Sequence, residues 1–118
     1  MNTNKEIGEI GERIAEEYLF RNKYKVLDRN FRKSYGEIDI VARIKNTLVC
    51  VEVKTSASMF KPEWQITTHK LKKFKRIIEV YIAENKLQNM SIRADVILVN
   101  INRGTGEHVL EHIEGIEF

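Results

Sequence analysis

Two apolar runs joined by a short polar turn constrain this chain more than any other feature. Gly36-Glu-Ile-Asp-Ile-Val-Ala42 and Leu48-Val-Cys-Val-Glu-Val-Lys54 read as adjacent strands. The linking Ile44-Lys-Asn-Thr47 predicts a tight hairpin centred between Lys45 and Asn46. Any loop of even length with that centre sets Asp39 opposite Glu52 and Glu37 opposite Lys54. Side chains alternate along a strand, so all four are expected on one face with Val41, Leu48 and Cys50. The other face is an apolar surface of Ile38, Ile40, Ala42, Val49, Val51 and Val53. Like charges directly across a ladder repel unless something neutralises them. A divalent cation, which takes carboxylate oxygens as ligands, does this well. The lysine two residues on can then hold an anion. That is the skeleton of a metal-dependent phosphodiesterase site.

Spacing alone fits equally the solvent-facing side of an amphipathic hairpin. The apolar end of the Asp39/Glu52 face argues against that reading, because carboxylates beside a covered surface are costly to desolvate without a partner.

At 118 residues, 42% hydrophobic and 31% charged, the chain is expected to form one soluble globular domain over residues 1–118. No apolar run approaches the length of a membrane span, and the first residues lack the apolar stretch of a signal peptide. The lone Cys50 excludes an internal disulfide, fits a reducing compartment and reads as a small core residue, so a cytoplasmic location is expected. The net charge of +3 is a mild basic bias, but its distribution is uneven. The first helix and the tail are acidic, while Lys70, Lys72, Lys73, Lys75 and Arg76 crowd into one stretch that suits a polyanion.

Helical periodicity predicts a first helix over residues 4–22, with an apolar stripe of Ile7, Ile10, Ile14, Tyr18 and Leu19. A strand over 24–32 and the hairpin strands follow. Residues 56–66 read as loop, and Thr67 or Thr68 can cap a second helix buried along Leu71, Phe74, Ile77, Ile78, Tyr81 and Ile82. A strand over 92–101, a turn at Arg103-Gly-Thr-Gly106 and a short strand over 108–113 complete the order αβββαβ(β). A helical crossover after a hairpin implies a mixed sheet with helices packed on it.

Gly11-Glu-Arg-Ile-Ala15, Leu27-Asp-Arg-Asn-Phe-Arg32, Gly36-Glu-Ile-Asp-Ile-Val-Ala42, Val51-Glu-Val-Lys-Thr55 and Arg93-Ala-Asp-Val-Ile97 resemble, in order, the motifs of the YraN-like family of predicted nucleases. That family belongs to the PD-(D/E)xK superfamily, with archaeal Holliday-junction resolvases among its relatives. The resemblance implies an α/β, restriction-endonuclease-like core, a mixed central sheet flanked by helices. It implies Asp39 and Glu52 as metal ligands, Lys54 as catalytic lysine and Glu12 as an accessory catalytic acid. It also implies Mg²⁺ or Mn²⁺ as cofactor and hydrolysis of phosphodiester bonds in DNA, with branched substrates suggested by the resolvases. The chain departs from the family's pattern at Ser56, where an arginine is usual, and at Trp64, where a glutamate is usual.

Helical spacing by itself does not choose between Glu12 and Glu17, which lie near opposite margins of the apolar stripe. Gly8 and Gly11 would let another backbone approach the helix there. Lys70, Lys72, Lys73 and Arg76 are the expected nucleic-acid contacts, since cations in the first turns of a helix oppose its macrodipole and need another reason to be there. Lys54 is also expected to pair across the strands with Glu37, and Arg93 with Asp95. His69, His108 and His112 are expected in surface or turn roles. DNA, with RNA left open, and a second copy of the chain are the expected partners. The rival reading is a non-catalytic nucleic-acid-binding module of a repair or uptake complex.

Overall fold

Helix α1 spans Asn4–Arg21 in the computed structural model, which describes residues 3–57 and 68–116. A reciprocal cap starts it: Thr3 Oγ1 accepts from the Glu6 N–H at 3.2 Å, and Glu6 Oε1 accepts from the Thr3 N–H at 3.0 Å. Its buried line is Ile7, Gly11, Ala15 and Leu19, one residue per turn. Ile10, Ile14 and Tyr18, expected within the stripe, flank it half-buried. Small residues hold the centre, so the helix presses close on the sheet. A Cβ at Gly11 would stand 1.9 Å from Thr55 Oγ1, whereas one at Gly8 meets nothing within 4 Å. Close approach is therefore a property of Gly11 alone.

The sheet has five strands in the spatial order of the sequence. They are β1 (Lys25–Lys33), β2 (Gly36–Ile44), β3 (Thr47–Ser56), β4 (Ser91–Ile101) and β5 (His108–Ile113). All neighbours are antiparallel except β3 and β4, which are parallel and joined across helix α2 (Thr68–Glu84). The order is thus αβββαββ, the mixed α/β sheet flanked by helices of a restriction-endonuclease-like core. One apolar layer forms under α1 from Ile40, Ala42, Val49, Val51, Ile97 and Val99. The other forms under α2, where Phe74, Ile77, Ile78 and Tyr81 pack on Ile38, Val41, Leu48 and Cys50. Cys50 is fully buried, and burial pushes its thiol up to about 12. The 58–66 stretch with Trp64, and Thr67 as a cap, lie outside the described residues. No helix among those described is long and apolar enough to cross a membrane.

The hairpin has the expected centre. Ile44 pairs with Thr47, Lys45 takes the left-handed φ of 53°, and the ladder runs to Ile40↔Val51. There it parts. The β1–β2 ribbon continues to Lys33↔Gly36, while β3 stays with β4 as far as Ser56↔Asn100. In an unbroken ladder the Val53 N–H would point at the Ile38 carbonyl. Instead Asp39 Oδ2 accepts it at 2.8 Å. A fork opens between β2 and β3, with Asp39 on one arm and Glu52 and Lys54 on the other.

Candidate active site

The fork changes which residues share a face. Strict alternation puts Ile38 with Ile40, yet Ile40 packs under α1 and Ile38 under α2. The paired strand shows the same switch: Asn30, between Arg29↔Ile40 and Phe31↔Ile38, adopts a φ of 51°. Asparagine tolerates that conformation. The expectation of one shared polar face is therefore corrected. Glu37, Glu52 and Lys54 line a cleft on the α2 side with Lys70, Lys73 and Phe74. Asp39 lines a cleft on the α1 side with Glu12, Arg13, Glu16 and Asn30. Period two is a property of regular ladders, and the ladder ends one residue before Asp39.

Asp39 remains within electrostatic reach of both arms. Burial, followed by the charges of Glu12, Glu37 and Glu52, pushes its carboxyl up to about 7 against the partial relief of the Val53 N–H. Glu12 is raised in the same direction by burial and by Glu37, while the Asn30 side chain hydrogen-bonds it. Glu12 also lines a third cleft with Lys54, Thr55 and Arg103, so it stands between the Asp39 and Lys54 sides of the site. Glu17, its rival by periodicity, pairs with Arg21 on the exposed surface.

Lys54 Nζ lies 2.9 Å from Glu52 Oε1. Its expected partner, Glu37, is held instead by Arg32 Nε at 2.8 Å, because Glu37 belongs to the ribbon that has peeled away from β3. Lys70 and Lys73 reach the cleft of Glu52 and Lys54. Arg76 lies over the Tyr35 ring at 4.4 Å from its centroid, and Lys72 is exposed on the helix. Arg103, read from the sequence as a turn residue, faces the Lys54 cleft from the β4–β5 connection. Only the sheet order that sets this turn beside the end of β3 brings it there. Among the described residues, no three of the Asp, Glu, His and Cys side chains gather closely enough to enclose a metal ion as they stand.

His112 overturns the surface role expected of it. Asp95 is fully buried, and its Oδ2 lies 2.6 Å from His112 Nε2. Arg93 grips both carboxylate oxygens at 2.9 Å, as the pairing of these residues predicted. An ionised carboxylate only accepts, so Nε2 donates to Asp95, while Nδ1 shares a hydrogen bond of 2.9 Å with Tyr18 Oη. Burial pushes the Asp95 carboxyl up, but the bonds from His112, Arg93 and the Gly115 N–H outweigh it and hold the group below its ordinary range. A lone histidine in a polar-looking strand carried no sequence signal for this.

Residues 11–99 match the sequence model of the family described as Uncharacterised protein family UPF0102. A UPF0102 protein of Thermodesulfovibrio yellowstonii is 38% identical over 115 residues, covering 96% of each chain. One from Caldanaerobacter subterraneus subsp. tengcongensis is 41% identical over 100 residues, 83% of this chain and 82% of the relative. One from Clostridioides difficile is 40% identical over 110 residues, 91% and 96% of the two chains. The matched span contains Glu12, Asp39, Glu52, Lys54 and the basic stretch of α2.

Proposed function

The chain belongs to the uncharacterised protein family UPF0102, and from that premise and the fork we propose that it is a divalent-metal-dependent endonuclease acting on DNA. One observation carries the reading. A half-buried carboxyl at the fork, Asp39, is held at about 7 by burial and three neighbouring carboxylates, with lysines lining the adjoining cleft. Perturbed acids in a cleft are frequent at catalytic sites. Excess negative charge there costs stability and serves no packing purpose. The donors are hard carboxylate oxygens, which fit Mg²⁺ or Mn²⁺. Such an ion would supply a bound water of lowered pKa and polarise a phosphoryl oxygen.

The chain's own residues do the rest. Asp39 and Glu52, on the two arms of the fork, are the residues that would hold the ion. Glu12 adds a carboxylate from α1 and is steadied by Asn30. Lys54, beside Glu52, would set its charge against the phosphate oxygens, where negative charge grows in the transition state. Lys70 and Lys73 hold a neighbouring phosphate.

One specific observation favours the rival, a nucleic-acid-binding module without catalysis. Glu52 is engaged by Lys54, and no metal-enclosing trio stands ready among the described residues. Divalent-metal titration followed by thermal denaturation, with cleavage assays on linear, nicked, flapped and four-way DNA, separates the two. The nuclease gains stability with Mg²⁺ or Mn²⁺ and loses that gain in Asp39→Asn. Lys54→Ala keeps metal binding and loses most cleavage. Wild type that binds DNA but neither gains stability from metal nor cuts any substrate is the module.

A further inference from the structure

A wide concavity lies beside the fork, not in it. It is a groove of about 1050 Å³ between the C-terminal half of α1 and the start of β1. Its walls carry five cations and two carboxylates. Both carboxylates are already engaged, Glu16 with Arg29 and Glu17 with Arg21. Arg13, Lys23 and Lys25 have no acidic partner among the described residues. Phe20 stands among these cations with 76% of its surface exposed.

Ordinary surface chemistry explains only part of this. A cation in the last turn of a helix complements the carbonyl ends, which accounts for Arg21 and Lys23. Arg13 lies two turns earlier, and Lys25 and Arg29 lie on β1, where no helix dipole asks for them. Single exposed apolar residues are common. A phenylalanine in a cationic groove is a different matter, because aromatic faces and positive charge together are what unpaired nucleotides bind. The groove is also continuous with the site. Arg13, Glu16 and Arg29 line both it and the cleft of Asp39 and Glu12.

We infer that this groove binds a single-stranded segment of nucleic acid next to the fork. Phe20 stacks on a base, and Arg13, Lys23 and Lys25 meet the phosphates. In a duplex each base face is already stacked on its neighbours, so a duplex engages the cations alone. As a statement of substrate class, this rests on the nuclease reading: the scissile phosphate at the fork adjoins an unpaired strand. Binding in the groove, however, requires no metal and no chemistry.

The test is equilibrium binding of a labelled oligo-dT, about 15 nucleotides long to cover one such site, in the presence of a chelator. Wild type should bind it, and Phe20→Ala should weaken binding about five-fold or more while Phe20→Trp retains it. Lys23→Gln with Lys25→Gln should lower the slope of log affinity against log salt by about 1.4. Phe20→Ala should affect a duplex of the same length much less. The proposal is overturned if wild type does not bind the oligonucleotide, or if neither set of variants changes its binding while their melting temperatures match wild type. Equal competition by poly-glutamate would assign the groove to an acidic protein and overturn it too. Groove effects without any metal-dependent cleavage would support this inference while sinking the nuclease reading, and cleavage without groove effects would do the reverse.

Discussion

Asp39 gives up a ladder position, accepts a displaced backbone N–H and sits among three carboxylates. A carboxyl with a raised pKa favours its protonated form in the fold. The resulting penalty is absent below the ordinary value of 3.8 and complete above about 7. Metal-free protein should therefore lose stability as pH rises across that window. Asp39→Asn cannot ionise and keeps an oxygen for the Val53 N–H, so urea denaturation should show a flatter pH profile. At neutral pH it should be more stable than wild type by roughly 1–3 kcal/mol, allowing for solvent relief. A steeper profile, or a variant less stable at neutral pH, would show that the carboxylate is satisfied where it stands. Gly11 matters for the opposite reason, having no side chain at all. Gly11→Ala gains about 1 kcal/mol of helix propensity. It also drives a methyl onto Thr55, whose Cβ lies only 2.8 Å away, so no rotamer of Thr55 removes the clash. A net loss of about 1–3 kcal/mol is expected, partly recovered by Thr55→Ala, as a double-mutant denaturation cycle would read.

At the scale of elements, α2 joins two tasks along adjoining parts of one face. Phe74, Ile77, Ile78 and Tyr81 seal one side of the sheet, while Lys70 and Lys73 reach the Glu52 cleft from its first turns. Cations there work against the helix dipole. Replacing Lys70 and Lys73 with glutamine should leave melting unchanged or raise it by a few tenths of a kcal/mol. The same variant should weaken duplex binding and reduce its salt slope by up to about 1.8. Weaker binding at an unchanged slope would mean that the lysines shape the cleft without touching phosphates. Lys72 and Arg76 lie off that cleft, the latter against Tyr35, so their replacement should matter less. The basic stretch is visible in the sequence, but only the packing of α2 against β2 separates the cations that reach the cleft from those that do not.

Across the whole molecule, the buried polar knot at Asp95 fastens parts that are far apart in sequence. It joins β4 to β5 through His112, to α1 through Tyr18, to the start of β1 through Tyr24 and Arg93, and to the closing residues through Gly115. Asp95→Ala would remove the acceptor of His112 Nε2 and leave Arg93 with only the Glu114 carboxylate and the Tyr24 hydroxyl. It should cost about 3–5 kcal/mol in a denaturation experiment. His112→Ala, which removes one of the two donors to Asp95 Oδ2 and the partner of the Tyr18 hydroxyl, should cost about 1–3 kcal/mol. Small losses in both would show that water replaces the partners.

Local pattern by itself determined the elements. Period-two runs gave β2, β3 and β4, helical spacing gave α1 and α2, and a two-residue polar turn fixed the Ile44↔Thr47 register. It also picked out the Arg93–Asp95 pair, because residues two apart on a strand must share a face. Tertiary structure decided what pattern could not. Alternation assumes a neighbour on each side, and where β2 leaves β3 that assumption fails, so Asp39 and Glu52 face different clefts. A helical wheel gives an angle about an axis but not what lies in that direction, which is why Glu12 and Glu17 were separable only once α1 had docked over Thr55. His112 meets Tyr18 across 94 residues of sequence, a contact set by strand order alone. Short-range stereochemistry writes the elements; the fork, the groove and the polar knot arise where distant elements meet, and no local repeat encodes such meetings.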